Sequence, residues 1–331
     1  MKLRRILEGE TPVVQIAANT GWVRVSRALA ALAPSHSEAE TALWSRDTIA
    51  LLGAPEEVRS GLNEAALGLA PDDAIAGRPL LPFEPRSFRD FMLYERHAID
   101  AARGFVRRFT PRAWPVVKAY EAVFRRPFPA LRPDALWNRQ PIYYMGNHLA
   151  FALDGEPLTI PSYTRALDYE LELGFVLACP LYNATPEEAE AAIGGFVVVN
   201  DFSARDVQRA EMRSGFGPQK SKHFRNGISR VVVSTDEILP RWRELSGFVR
   251  LNGRLVAEPR SAGPRWSLGE ALAHASRSER LYPGELFATG TLPGGSGIET
   301  GQLLSDGDTL EIGIEEIGSI TTPIVAEETR R

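Results

Sequence analysis

With 331 residues, 44% of them apolar and 24% charged, the chain has the make-up of a globular protein forming one large domain or two of unequal size. Its net charge of −4 and scattered basic residues provide no positive stripe for a phosphate backbone, which argues against nucleic acid as a partner. The mid-chain apolar run Phe196-Val197-Val198-Val199 is far short of the ~20 residues that cross a bilayer, which argues against a membrane location. Glu8 and Glu10 break the basic N-terminus before a signal region develops, so a cytoplasmic protein is expected. The one cysteine, Cys179, cannot form an intramolecular disulfide, and its place after Val176-Leu177-Ala178 predicts a packed core thiol.

Residues 1–77 read as a small N-terminal domain: strands at 13–16 and 22–25 flank the turn Asn19-Thr20-Gly21, and a helix over 55–67 carries Glu56 and Glu57 in its first turn. Pro79, Pro82 and Pro85 mark a stiff linker, and residues 78–331 then form the larger domain. A helix is predicted over 90–108, with Phe91, Tyr94, Ala98 and Phe105 among its apolar positions. Between Pro111 and Pro141 repeated prolines predict a long ordered connection over the surface, of the kind that often serves as a lid. Short strands follow at 142–145, 149–153, 168–178, 194–200, 230–234, 247–251, 286–290 and 308–315. Many strands with few long helices predict an α+β, mostly β core and not a doubly wound sheet.

Asp168-Tyr169-Glu170-Leu171-Glu172-Leu173 places a carboxylate at every second residue of an apolar run. On a strand, Asp168, Glu170 and Glu172 share one face. Such stacked charges repel, and a cation offsets the repulsion; hard oxygen ligands suit Mg²⁺, Mn²⁺ or Ca²⁺ better than zinc. A solvent-washed strand face is the commoner fate of alternating charge. The apolar residues 174–178 that follow nevertheless predict a strand running from a polar mouth into a core covered on both sides.

A second constellation is the apolar run 195–199 ending in Asn200-Asp201, followed by Ser203-Ala204-Arg205-Asp206-Val207-Gln208. Helical spacing puts Arg205 and Gln208 on one face and lets Arg205 reach back toward Asp201, although helix capping alone would account for one of Asn200, Asp201 and Ser203. Lys222-His223-Phe224 lies in a turn-rich segment, and Ala288-Thr289-Gly290-Thr291 ends a strand before a glycine-rich loop.

Together, in order and spacing, these four motifs resemble the fumarylacetoacetate hydrolase family, over about residue 79 to the C-terminus. The resemblance implies a layered mixed β-sheet roll with a barrel-like N-terminal domain, commonly as a homodimer. It implies metal ligation by Glu170, Glu172 and Asp201, joined by Asp90, and a catalytic histidine at His97. It implies substrate binding by Tyr144, Arg205, Gln208, Lys222 and Thr291. The glutamate that orients the histidine in long members falls near Ser305, which lacks the carboxylate. Short members place an acid three residues after the histidine, so Asp100 is the expected partner of His97. The lysine or arginine that the family often carries at or just after residues 143–147 is missing here.

The expected activity is Mg²⁺-dependent (or Mn²⁺- or Ca²⁺-dependent) hydrolysis of a carbon–carbon bond in a 1,3-dicarbonyl or acylpyruvate-type acid. His97 would act as general base and Lys222 as a catalytic cation at the developing oxyanion. Decarboxylation, hydration or tautomerisation of a 2-oxo acid on the same scaffold is the alternative, and a non-catalytic protein folded by its metal is a third. Arg103, Arg107, Arg108 and Arg112 could grip a substrate carboxylate or simply form a solvated basic helix face.

Overall fold

The computed structural model describes residues 1–32, 36–72 and 77–327. Its backbone is a large mixed sheet in which nine strands follow one path, in the order Gly21–Arg24, Thr11–Ala18, Lys2–Glu8, Val231–Ser234, Ile193–Asp201, Glu170–Leu177, Glu285–Ser296, Ser87–Phe91 and Tyr143–Gly146. A smaller sheet, ordered Arg254–Ala257, Gly247–Leu251, Thr309–Ile314, Gly318–Val325 and Leu158–Thr159, is layered on it.

The strand Glu170–Leu177 sits at the middle of this arrangement with every residue buried. Its period of two divides the core. Leu171, Leu173, Phe175 and Leu177 join Phe196, Val198, Leu310, Ile312 and Ile314 between the sheets. Val176 instead joins Val197, Val199, Val14, Leu51 and Leu62 under the N-terminal helices. Each such side chain contributes about 1.5–3 kcal/mol by leaving water. The face that carries Val176 also carries Glu172 and Glu170, and the strand runs from these acids into a core covered on both sides, as the sequence predicted.

The strand Lys2–Glu8 pairs with both Thr11–Ala18 and Val231–Ser234, so the N-terminal meander continues the large sheet and closes no barrel among the described residues. The helix expected over 55–67 forms as Glu56–Gly68.

Several expectations are corrected. The segment predicted as one helix from residue 90 is a strand, Ser87–Phe91, followed by a helix, Glu95–Phe109. Parallel pairing of Phe88, Arg89 and Asp90 with Leu286, Phe287 and Ala288 overrides their local helical pattern. Residues 111–141 are not only connection: Trp114–Phe124 is a helix, and Pro115 is tolerated because it lies in the first turn, where no intrahelical N–H is required. The strand ending near residue 290 runs on to Ser296. Cys179 lies beyond its strand and is exposed, not packed in the core.

Candidate active site

Three neighbouring strands and the one beyond them bring the acidic residues together. Glu172 faces Val199 across one ladder and Thr291 across the other, with register shifts on either side of it in the second. At this irregularity Gly290 has φ 81°, and a Cβ there would collide with the main chain of Phe91. The close approach carries Asp90, one residue before Phe91, to the carboxylates of the central strand.

Asp90, Glu172 and Asp201 are all buried, and each places an oxygen within 4.8 Å of the others. Asp90 Oδ1 and Glu172 Oε2 have no hydrogen-bond partner among the described residues. Burial pushes the Asp90 carboxyl well above the usual carboxylate range, and the charge of Asp201 pushes it further. Burial, then Asp90 and Asp201, does the same to Glu172. Orphaned, mutually repelling oxygens in a closed group fit a hard divalent cation held by these three residues.

Glu170 stands beside the trio and is held differently. Burial alone would raise its pKa, but Arg205, Lys222 and His97 hold it below the usual carboxylate range. Lys222 donates to both Glu170 and Asp201. Burial works against the charge on Lys222, yet Asp201 and Glu170 outweigh it and the ammonium is pushed up. Tyr144 donates its hydroxyl to Asp201 Oδ2 at 2.6 Å, and Thr291 Oγ1 donates to Glu172 Oε1 at 3.3 Å.

Arg205 takes a role other than the expected one. Its side chain is 2% exposed and its guanidinium is committed to Asp168 (2.6 Å), Glu170 (2.7 Å) and the Gln208 amide oxygen (2.9 Å). It therefore braces Glu170 from behind, and Gln208 braces Arg205 in turn. Sequence spacing correctly joined Arg205 to Gln208 but aimed Arg205 at Asp201, whereas its guanidinium reaches Asp168 and Glu170.

His97 is buried on the helix Glu95–Phe109, with Nε2 3.6 Å from Glu170 Oε1. Its Nδ1 meets Glu299 Oε2 at 3.0 Å, and not Asp100. Asp100 is bound instead by Arg103 at 2.6 Å on its own helix, so the expected pairing with His97 is overturned. Position 305, where sequence comparison sought the orienting acid, is also superseded: Glu299, six residues earlier, does that job. A local signal for Glu299 is the Ser296-Gly297-Ile298-Glu299 spacing of the Ser-x-x-Glu kind; here Ser296 Oγ donates to Glu299 Oε2 at 2.7 Å and makes no cap to the backbone. Burial lowers the His97 pKa, but Glu299 and then Glu170 outweigh it and the net shift is upward. The ring thus stands between two carboxylates, with Nδ1 toward Glu299 and Nε2 toward Glu170.

Of the four arginines after His97, Arg103 is tied to Asp100 and Glu121, and Arg107 donates to the Glu299 carbonyl at 2.8 Å. Arg108 and Arg112 are exposed.

Among known proteins, the family described as fumarylacetoacetate (FAA) hydrolase C-terminal matches residues 116–325. Human mitochondrial oxaloacetate tautomerase FAHD1 is 29% identical over 190 residues, covering 57% of this chain and 83% of that one. Two solved structures share the fold over 99% of this chain and 100% of theirs. They are fumarylacetoacetate hydrolase from Exiguobacterium antarcticum (TM-score 0.69, 20% identity) and 5-carboxymethyl-2-hydroxymuconate delta-isomerase from Mycobacterium smegmatis (TM-score 0.62, 17% identity).

Proposed function

The chain belongs to the fumarylacetoacetate hydrolase family, and from that premise we propose that it hydrolyses a carbon–carbon bond in a 1,3-dicarbonyl or acylpyruvate-type acid. The observation that carries this reading is the His97–Glu299 pair, whose Nε2 lies 3.6 Å from Glu170, the carboxylate that shares Lys222 with Asp201. Hydrolysis needs an activated water as well as a place for negative charge, and a buried imidazole braced by a carboxylate supplies the first. A divalent cation, Mg²⁺ or else Mn²⁺ or Ca²⁺, held by Asp90, Glu172 and Asp201 supplies Lewis acidity at the substrate oxygens.

His97 Nε2 takes a proton from water as the water oxygen bonds to the acyl carbon. The carbon–carbon bond breaks, and its electron pair leaves with the enolate fragment. The imidazolium, stabilised by Glu299, then returns the proton to the carbon of that fragment. Lys222, fixed between Glu170 and Asp201, is the cationic donor that offsets the charge. Tyr144 holds Asp201 in place and stays protonated, since burial and then the charge of Asp201 push its pKa well up.

A second reading, keto–enol tautomerisation or decarboxylation of a 2-oxo acid, is favoured by the likeness to oxaloacetate tautomerase. It uses the same charge stabilisation without an attacking water. The two separate in one experiment: acylpyruvates, fumarylacetoacetate-like acids and oxaloacetate are incubated with protein and Mg²⁺, following enol absorbance and product mass. Hydrolysed fragments that vanish in H97A support the first reading. Unchanged mass or carbon dioxide release, surviving in H97A, supports the second.

A further inference from the structure

Asp168 is the first carboxylate of the alternating motif, yet it stands outside the cation-fitting trio. It is completely buried, and both its oxygens are fully used. Oδ1 accepts from the backbone N–H of Tyr169 and of Gly297, each at 2.8 Å. Oδ2 accepts from the Ile298 N–H at 3.0 Å and from Arg205 Nε at 2.6 Å. Two of these four donors are the opening amides of the short helix Gly297–Thr300, the turn that carries Glu299.

A four-residue turn cannot hold its own shape, because nucleating a helix fixes several dihedrals for one hydrogen bond and leaves its leading amides without partners. Asp168 satisfies those amides. Glu299 then extends from the anchored turn, with Oε1 accepting from the Gly294 N–H at 3.0 Å and Oε2 meeting Ser296 Oγ and His97 Nδ1. In the other direction Arg205 spans from Asp168 to Glu170. One carboxylate thus fixes the turn bearing the histidine's acid relative to the strand bearing the ligands.

We propose that Asp168 is a positioning residue that acts through Glu299 to orient His97. The inference rests on His97 and Glu299 working as the dyad of the proposed reaction. A purely structural Asp168 would neutralise Arg205 and nothing more. Its loss would then lower stability without singling out the histidine.

The test compares D168N, E299Q and the double variant, with G297A as a charge-preserving alternative in case D168N does not fold. A methyl group at position 297 would overlap the Gln302 carbonyl oxygen and the Asp168 carboxylate, and so displace the turn from both of its holders. Histidine-labelled protein reports the His97 Nδ1 hydrogen bond by ¹⁵N NMR, assigned with H97N among the five histidines. The expected result is that D168N and G297A each move the His97 signal most of the way to its E299Q position. Where the wild type turns over a substrate of the panel, each single variant loses tenfold or more in kcat with KM within twofold. The D168N/E299Q double variant then loses no more than twofold beyond E299Q alone. Losses that multiply, or a His97 signal unchanged in every folded variant, overturn the proposal. The spectroscopic result decides it even when the wild type acts on no member of the panel, an outcome that counts only against the proposed reaction.

Discussion

Gly104 offers the sharpest test of how His97 is held, because it is where the helix Glu95–Phe109 touches the turn carrying Glu299. A Cβ at residue 104 would overlap the Ile298 carbonyl oxygen and lie 2.8 Å from its carbon and 3.0 Å from Ile298 Cγ1. Carbon atoms rest about 3.5–4.0 Å apart, so in G104A the helix must withdraw by about 1 Å. The His97–Glu299 contact of 3.0 Å would open to about 4 Å, beyond hydrogen-bond range. Overpacking of this kind costs about 1–3 kcal/mol, while replacing a helical glycine by alanine returns about 0.5–1 kcal/mol, so folding survives with a modest net loss. Activity suffers more, since a misplacement of about 1 Å at a catalytic group costs on the order of 10²-fold. Thermal melting and kcat on a turned-over acid, measured side by side, check the two effects. A folded G104A with kcat within threefold of wild type would refute the steric reasoning.

Other outcomes follow from the same geometry. E172Q and D201N should each weaken Mg²⁺ or Mn²⁺ binding, read by titration calorimetry, by at least tenfold; equal affinity in all three proteins would disconnect the trio from the ion. Chelator should lower the melting temperature of wild type, and much less that of E172Q, because removing a carboxylate relieves the repulsion that the ion otherwise offsets. D100N breaks only partly exposed pairs with Arg103 and Arg96, so its cost should stay below about 1 kcal/mol and kcat within threefold, whereas E299Q should lose about 10²-fold or more. Comparable losses in D100N and E299Q would restore Asp100 as the orienting acid.

Much of the acidic group was legible because a strand's period of two is rigid: once 168–173 is extended, Glu170 and Glu172 must share a face. Asp201 at the end of an apolar run was legible for a similar reason. Asp90 was matched only through the family resemblance, and His97 through its register from Asp90, both on a supposed helix. What made it a strand is pairing with Leu286, Phe287 and Ala288, almost two hundred residues away, and no local pattern reveals that. Glu299 was hidden by the same non-locality, at a separation of 202 positions from His97. Asp100 has a plausible spacing, but spacing does not choose among partners: Arg103, itself paired with Glu121, binds Asp100 instead. Arg205 was expected to reach back to Asp201, and nothing local shows that it lies between Asp168 and Glu170 instead.

Between Asp90 on its strand and the helix of His97 lie only residues 92–94, and they are pinned. The Met92 N–H donates to the Ile142 carbonyl, and its carbonyl accepts from Trp137 Nε1 at 2.6 Å. The Leu93 N–H donates to the Thr289 carbonyl, and the Tyr94 hydroxyl reaches the Ser261 carbonyl. So short and well-tethered a link leaves the helix no independent swing, and Asp90 and His97 move as one cassette. In the proposed reaction, a chimera that exchanges this stretch between relatives would carry one of the three proposed ligands and the proposed base across together.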